Sequence, residues 1–166
     1  MTQASTLKYI AHYPEHIQSQ AAELISQGKL GDYIDKNYPT KHQVQSDKAL
    51  YQYINQIKNQ YMRKTSSLTQ VTYNSKLAVL NQALGIHTFQ SRVQGNKLKA
   101  HNSITVASLF KEAPPEFLRM IVVHELAHFK EKDHDKSFYQ LCCHMEPAYH
   151  QFELDTRLWL QWREQL

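Results

Sequence analysis

The spacing of apolar positions divides the chain into a helical first part, residues 1–66, and a mixed second part, residues 67–166. In "PEHIQSQAAELISQGKLGDYIDKNYP" the apolar residues Ile17, Ala21, Leu24 and Ile25 recur at helical intervals, and Gly28 and Gly31 are expected to end that helix. A second helix is expected to open at Ser46 or Asp47, whose side chains can accept from a first-turn N–H, and to run through "KALYQYINQIKNQYMRK". Its apolar stripe is Leu50, Tyr53, Ile54, Ile57 and Tyr61.

From Leu68 the period shortens. "LTQVTY" reads as a strand and "SKLAVLNQALG" as a short helix closed by Gly85, while "IHTFQSRVQ" and "KLKAHNSITVASLF" read as strands joined across Gly95 and Asn96. Leu98, Ala100, Ile104 and Val106, followed by Leu109 and Phe110, give this segment one face to pack on a helix. That helix is "EAPPEFLRMIVVHELAHFKEK": Pro114 and Pro115 suit a helix start, and Glu116 faces the positive end of the helix dipole. Leu118, Ile121, Val122, Leu126 and Phe129 form its buried stripe. One more helix is expected from Asp135 to before Pro147, and a last one through "AYHQFELDTRLWLQW". The fold class is α+β in a single domain, 1–166, with a small antiparallel sheet or hairpin packed on the helix of residues 114–132 and further helices at both ends.

That helix carries "HELAH". Two histidines at i and i+4 sit one turn apart on one face, so His124 and His128 can reach one metal ion, and Glu125 stands beside it to accept a proton from water as a general base. Composition alone yields the pattern about 0.03 times in such a chain. A hydrolytic zinc ion needs three protein ligands and an open position. His134, six residues after His128, is the preferred third ligand, with Glu146 and Glu153 the carboxylate alternatives. Metzincin peptidases share this histidine spacing but place a glycine where this chain has Glu131. Imidazole ligands also suit other divalent first-row ions.

Composition narrows the setting. Of the 166 residues, 42% are hydrophobic and only 4 are glycine, which suits a packed core and excludes disordered and repeat architectures. No apolar run is long enough to span a bilayer and the first residues lack a signal-peptide pattern, so a cytoplasmic protein is expected. Cys142 and Cys143 are adjacent, poorly placed to bridge one another, and without a third cysteine to pair with. The net charge of +4 permits an anionic substrate, but the basic residues are scattered, and there is no basic tail, finger or helix-turn-helix to engage nucleic acid.

The segment "FLRMIVVHELAHFKEKDHDKSFYQLCCHMEP", with "APPE" and "SRVQGNKLKAHNSITVASLF" before it, resembles the YgjP-like metallopeptidase-domain family. The resemblance covers nearly the whole chain and implies a zincin-like fold, with zinc held by His124, His128 and His134 and Glu125 as base. Asp133, Asp135 and Tyr139 stand where the family has Asn, Ser and Trp, and "SRVQG" keeps Arg92 and Gly95 but lacks the family's Trp and Cys. The resemblance implies two activities: peptide hydrolysis, and cleavage of UTP to UMP and pyrophosphate.

A metallopeptidase-like zinc hydrolase is the leading expectation. For it Tyr139, His144, Tyr149 and Arg119 are the candidate oxyanion donors, and Arg92 and Tyr139 the candidate substrate-binding residues. UTP cleavage on the same metal site is the alternative, with Arg92, Lys97 and Lys99 toward the triphosphate, although no glycine-rich phosphate loop is present. A purely structural zinc module would be expected to close the fourth position, usually with cysteine, and would have no use for Glu125.

Overall fold

The computed structural model describes residues 7–85 and 102–164. In chain order its elements are α1 (Glu15–Ser26), α2 (Leu30–Asn37), α3 (Asp47–Tyr61), β1 (Gln70–Asn74), α4 (Leu77–Ala83), β2 (Ser103–Ala107), α5 (Pro115–Ala127), α6 (Lys136–Met145) and α7 (Tyr149–Arg163), with 3-10 turns at Lys8–Ile10 and Ser108–Glu112. They divide into two compact units, one drawn from Met1–Thr40 and His150–Leu166, the other from Lys41–Tyr149. Among the described residues no helix is long and apolar enough to cross a membrane.

In the first unit α1 ends as its glycine predicts. Gly28 adopts φ +67°, its N–H reaches the Ile25 carbonyl at 3.0 Å, and Lys29 N–H reaches Leu24 at 2.8 Å, a pair of bonds that satisfies the last carbonyls of the helix. Gly31 does not stop a helix. It lies in the first turn of α2, and a Cβ there would stand 2.7 Å from Nε1 of Trp162, so the glycine answers a close approach by α7. The buried Asp155 carboxylate of α7 accepts from Tyr33 Oη at 2.8 Å, from Gln151 Nε2 at 2.9 Å and from the Tyr38 hydroxyl.

In the second unit α3 is capped by Ser46, whose Oγ accepts from Ala49 N–H at 3.1 Å, and it buries Leu50, Ile54 and Ile57. Tyr53 and Tyr61, assigned to the same stripe, are half-buried. β1 and β2 pair in parallel, with Val71 opposite Ile104 and Thr72 opposite Thr105. This corrects the antiparallel sheet expected from the sequence. The connection between the strands contains α4, and a helical crossover returns the chain to the end at which it began, so both strands run the same way. The proposed hairpin turn at Gly95 and Asn96 lies outside the described residues, as do Arg92, Lys97 and Lys99. Leu109 and Phe110, expected to end a strand, belong to the 3-10 turn.

Residue Pro115 opens α5, where its missing N–H costs nothing. Phe117, Leu118, Met120, Ile121, Val122, Val123, Leu126 and Ala127 are all buried, so apolar positions run round the helix rather than along one stripe. It packs on β2, α3 and α6, which fixes the direction in which its polar residues leave. The helix ends at Ala127, a turn earlier than expected. His128 is its C-cap with φ −66° and ψ −13°, still in helical conformation, so the i, i+4 relation to His124 survives.

Candidate metal centre

Three segments of the second unit bring the histidines together. His124 is buried in the last turn of α5, His128 caps that helix and is half-buried, and His134 is exposed just before α6. Their ligand nitrogens lie within 4.8 Å of one another, with His128 Nε2 3.2 Å from His124 Nε2 and 3.0 Å from His134 Nε2. Nitrogens on a tetrahedral zinc at ~2.0–2.1 Å would stand about 3.3–3.4 Å apart. The observed spacing is close to that edge length, and the donor set fits a divalent ion.

Each of two rings is oriented from behind. His128 Nδ1 lies 3.0 Å from the Glu131 carbonyl, an acceptor only, so Nδ1 carries the proton and Nε2 keeps its lone pair for the cluster. His124 Nδ1 lies 2.9 Å from the hydroxyl of Tyr149, which is fully buried at the start of α7. Phe138 of α6 is also fully buried, its ring centroid 5.0, 4.6 and 4.9 Å from those of His124, His128 and His134. Asp135 holds that helix start, Oδ1 accepting from Phe138 N–H at 3.0 Å, and so anchors the residue next to His134.

The turn from His128 to His134 also explains why Glu131 can replace a glycine. Among the described residues Asn102 is the one non-glycine with positive φ, so Glu131 needs no left-handed backbone. Its N–H bonds the Ala127 carbonyl at 2.9 Å, which tightens the chain without special conformation.

Glu125 and the three histidines line one cleft of about 580 Å³, together with Asn74, Val79, Gln82, Ala83, Thr105 and Lys132. The rest of the described lining thus comes mainly from β1, α4 and β2. The carboxylates considered as alternative ligands have other partners. Glu146 Oε1 accepts from Arg119 Nε at 2.7 Å and Oε2 from Ala148 N–H at 3.0 Å, while Glu153 pairs with Arg157 at 3.7 Å and accepts from Tyr13 Oη at 3.4 Å.

Residues 3–158 match the YgjP-like, metallopeptidase domain family. The chain belongs to that family. It is 57% identical to the UTP pyrophosphatase of Escherichia coli (strain K12) over 156 residues, which is 94% of this chain and 93% of that relative. No solved structure matches it significantly.

The candidate oxyanion donors separate once placed in this YgjP-like chain. Arg119 also donates from Nη2 to the Met145 carbonyl at 2.8 Å, so it ties down the end of α6. His144 stacks edge-on with Tyr61 at 5.4 Å, and Tyr149 backs His124. Tyr139 lies with its ring 6.5 Å from that of His134. Lys132, Asn74, Gln82 and Thr105 were not singled out by sequence. Nothing in a local pattern marks Asn74, Gln82 or Thr105, whereas Lys132 could have been found from its place between two histidines that must converge.

Proposed function

We propose that the chain is a metal-dependent hydrolase that cleaves UTP to UMP and pyrophosphate, with His124, His128 and His134 as ligands of one zinc ion and Glu125 as general base. The observation that carries it is the convergence of three imidazole Nε2 atoms beside Glu125 in one cleft. The choice of UTP rests on the relative named UTP pyrophosphatase, 57% identical over 94% of the chain. Cys142 and Cys143, which are in no disulfide among the described residues, fit a reducing, cytoplasmic setting.

Bound there, zinc supplies a Lewis acid that polarises a phosphoryl oxygen and acidifies water. Glu125 accepts the proton as the water oxygen forms a bond to the α-phosphorus. The bond from that phosphorus to the bridging oxygen breaks, and its electron pair leaves with pyrophosphate. The Glu131 carbonyl and Tyr149 keep the rings of His128 and His124 from turning during this exchange.

Peptide hydrolysis is the second reading, favoured by the metallopeptidase description of the family. A scissile carbonyl would then take the place of the α-phosphorus with the same ligands and base.

The test measures pyrophosphate release from UTP by metal-loaded wild type and Glu125→Gln, with metal content determined in both. The variant should keep one ion per chain and turn over about 10²- to 10⁴-fold more slowly. Equal rates would remove Glu125 as base. A wild type that cleaves peptides and leaves UTP intact would replace the nucleotide reading with the peptidase one.

A further inference from the structure

We propose that Lys132 is the leaving-group site of the cleft, its ammonium holding the β- and γ-phosphates of a nucleoside triphosphate as they depart. This rests on the nucleotide reading of the same site. Three observations meet at the residue.

Among the described residues lining the cleft, Lys132 is the single lysine or arginine and Glu125 the single carboxylate. It is exposed and forms no ion pair among the described residues, whose ion pairs are Lys8 with Glu164, Arg119 with Glu146 and Arg157 with Glu153. Finally its backbone position is held by the candidate ligands. The preceding residue, Glu131, bonds Ala127 through its N–H at 2.9 Å and His128 Nδ1 through its carbonyl at 3.0 Å, and His134 follows two residues later.

The chemistry of the two substrates differs most at the leaving group. Breaking the phosphoanhydride puts the electron pair on a bridging oxygen of pyrophosphate, which departs with several negative charges, and a nearby ammonium stabilises that charge as it grows. A departing peptide amine takes up a proton and develops no negative charge. The neutral donors that also line the cleft, Asn74, Gln82 and Thr105, offer hydrogen bonds but no charge. A lysine lining the same cleft as Glu125 therefore suits the anhydride.

Binding separates this role from turnover. Inorganic pyrophosphate and UMP would be titrated calorimetrically into metal-loaded wild type, Lys132→Gln and Lys132→Arg, with metal content and the KM and kcat for UTP measured alongside. The Gln variant should keep its metal, bind pyrophosphate about 10- to 100-fold more weakly and bind UMP within about twofold of wild type. Restoring the charge in the Arg variant should recover most of the affinity and of kcat/KM.

The proposal is overturned if Lys132→Gln binds pyrophosphate as wild type does, if pyrophosphate and UMP weaken equally, or if the variant loses its metal. A wild type that cleaves UTP while Lys132→Gln matches it removes Lys132 alone. If wild type neither binds pyrophosphate nor cleaves UTP, the nucleotide reading falls with it.

Discussion

The hydroxyl of Tyr149 lies 2.9 Å from Nδ1 of the buried His124, whose Nε2 lies 3.2 Å from Nε2 of His128. A histidine that binds a metal through Nε2 holds its proton on Nδ1, and the acceptor for that proton decides how the ring stands. Replacing Tyr149 with Phe keeps the ring's volume and removes only the oxygen. Metal affinity should fall about 10- to 100-fold with folding intact. Competition against a chromophoric chelator measures it, and unchanged affinity would show that the hydroxyl has no part in holding His124.

Phe138 supports the same cluster without polar contact. Its ring stands within 5.0 Å of each of the three imidazole centroids and is fully excluded from solvent. Phe138→Ala should cost about 3–5 kcal/mol by opening a cavity, and Phe138→Leu less. Urea unfolding with and without added zinc reads both effects. If Phe138 positions the histidines, the stabilisation that zinc provides should shrink in the Ala variant.

Gly31→Ala tests a contact that helix propensity would misjudge. Alanine gains about 1 kcal/mol over glycine inside an exposed helix, but here its Cβ would meet the Trp162 indole at 2.7 Å. The variant should lose about 1–3 kcal/mol in urea unfolding, since a rigid ring must shift. A stabilised variant would mean that the indole moves at no cost.

Alkaline pH should weaken the fold through its tyrosines. Burial, the nearby Tyr53 and then Asp47 raise the Tyr73 hydroxyl from its ordinary 10.0 to about 12. Burial is likewise the first cause of the upward shifts of Tyr9, Tyr33 and Tyr53. A raised folded value means that the unfolded chain gives up its protons first. The contribution to stability is therefore whole below pH ~10 and is lost as pH rises from there through about 12. Urea midpoints between pH 8 and 11.5 should fall above pH ~10. A flat profile would show that these hydroxyls ionise as freely in the folded chain as in the unfolded one.

The local features of this chain were legible because they depend on near neighbours. Ser46 and Asp135 cap helices by reaching N–H groups three residues on, and Gly28 and Gly85 have positive φ where the sequence pattern ends a helix. "HELAH" belongs to the same class, since an i, i+4 pair is brought together by one turn of helix whatever surrounds it. The parallel pairing of β1 with β2 was not legible from alternation, because strand alternation gives a face and not a direction.

Sequence alone determined the helix that carries His124 and Glu125 and its start at Pro115, consequences of short-range geometry, but not its end at Ala127 or the burial of apolar residues all round it. Tertiary structure decided what stands around those residues. It brought His134 to within 3.0 Å of His128, set Tyr149 behind His124, withdrew Glu146 to Arg119, and placed Lys132 in one cleft with Asn74 and Thr105. Each of those relationships joins positions whose spacing along the chain has no fixed distance in space, so only the packing of α5 against β2 and α6 could choose them.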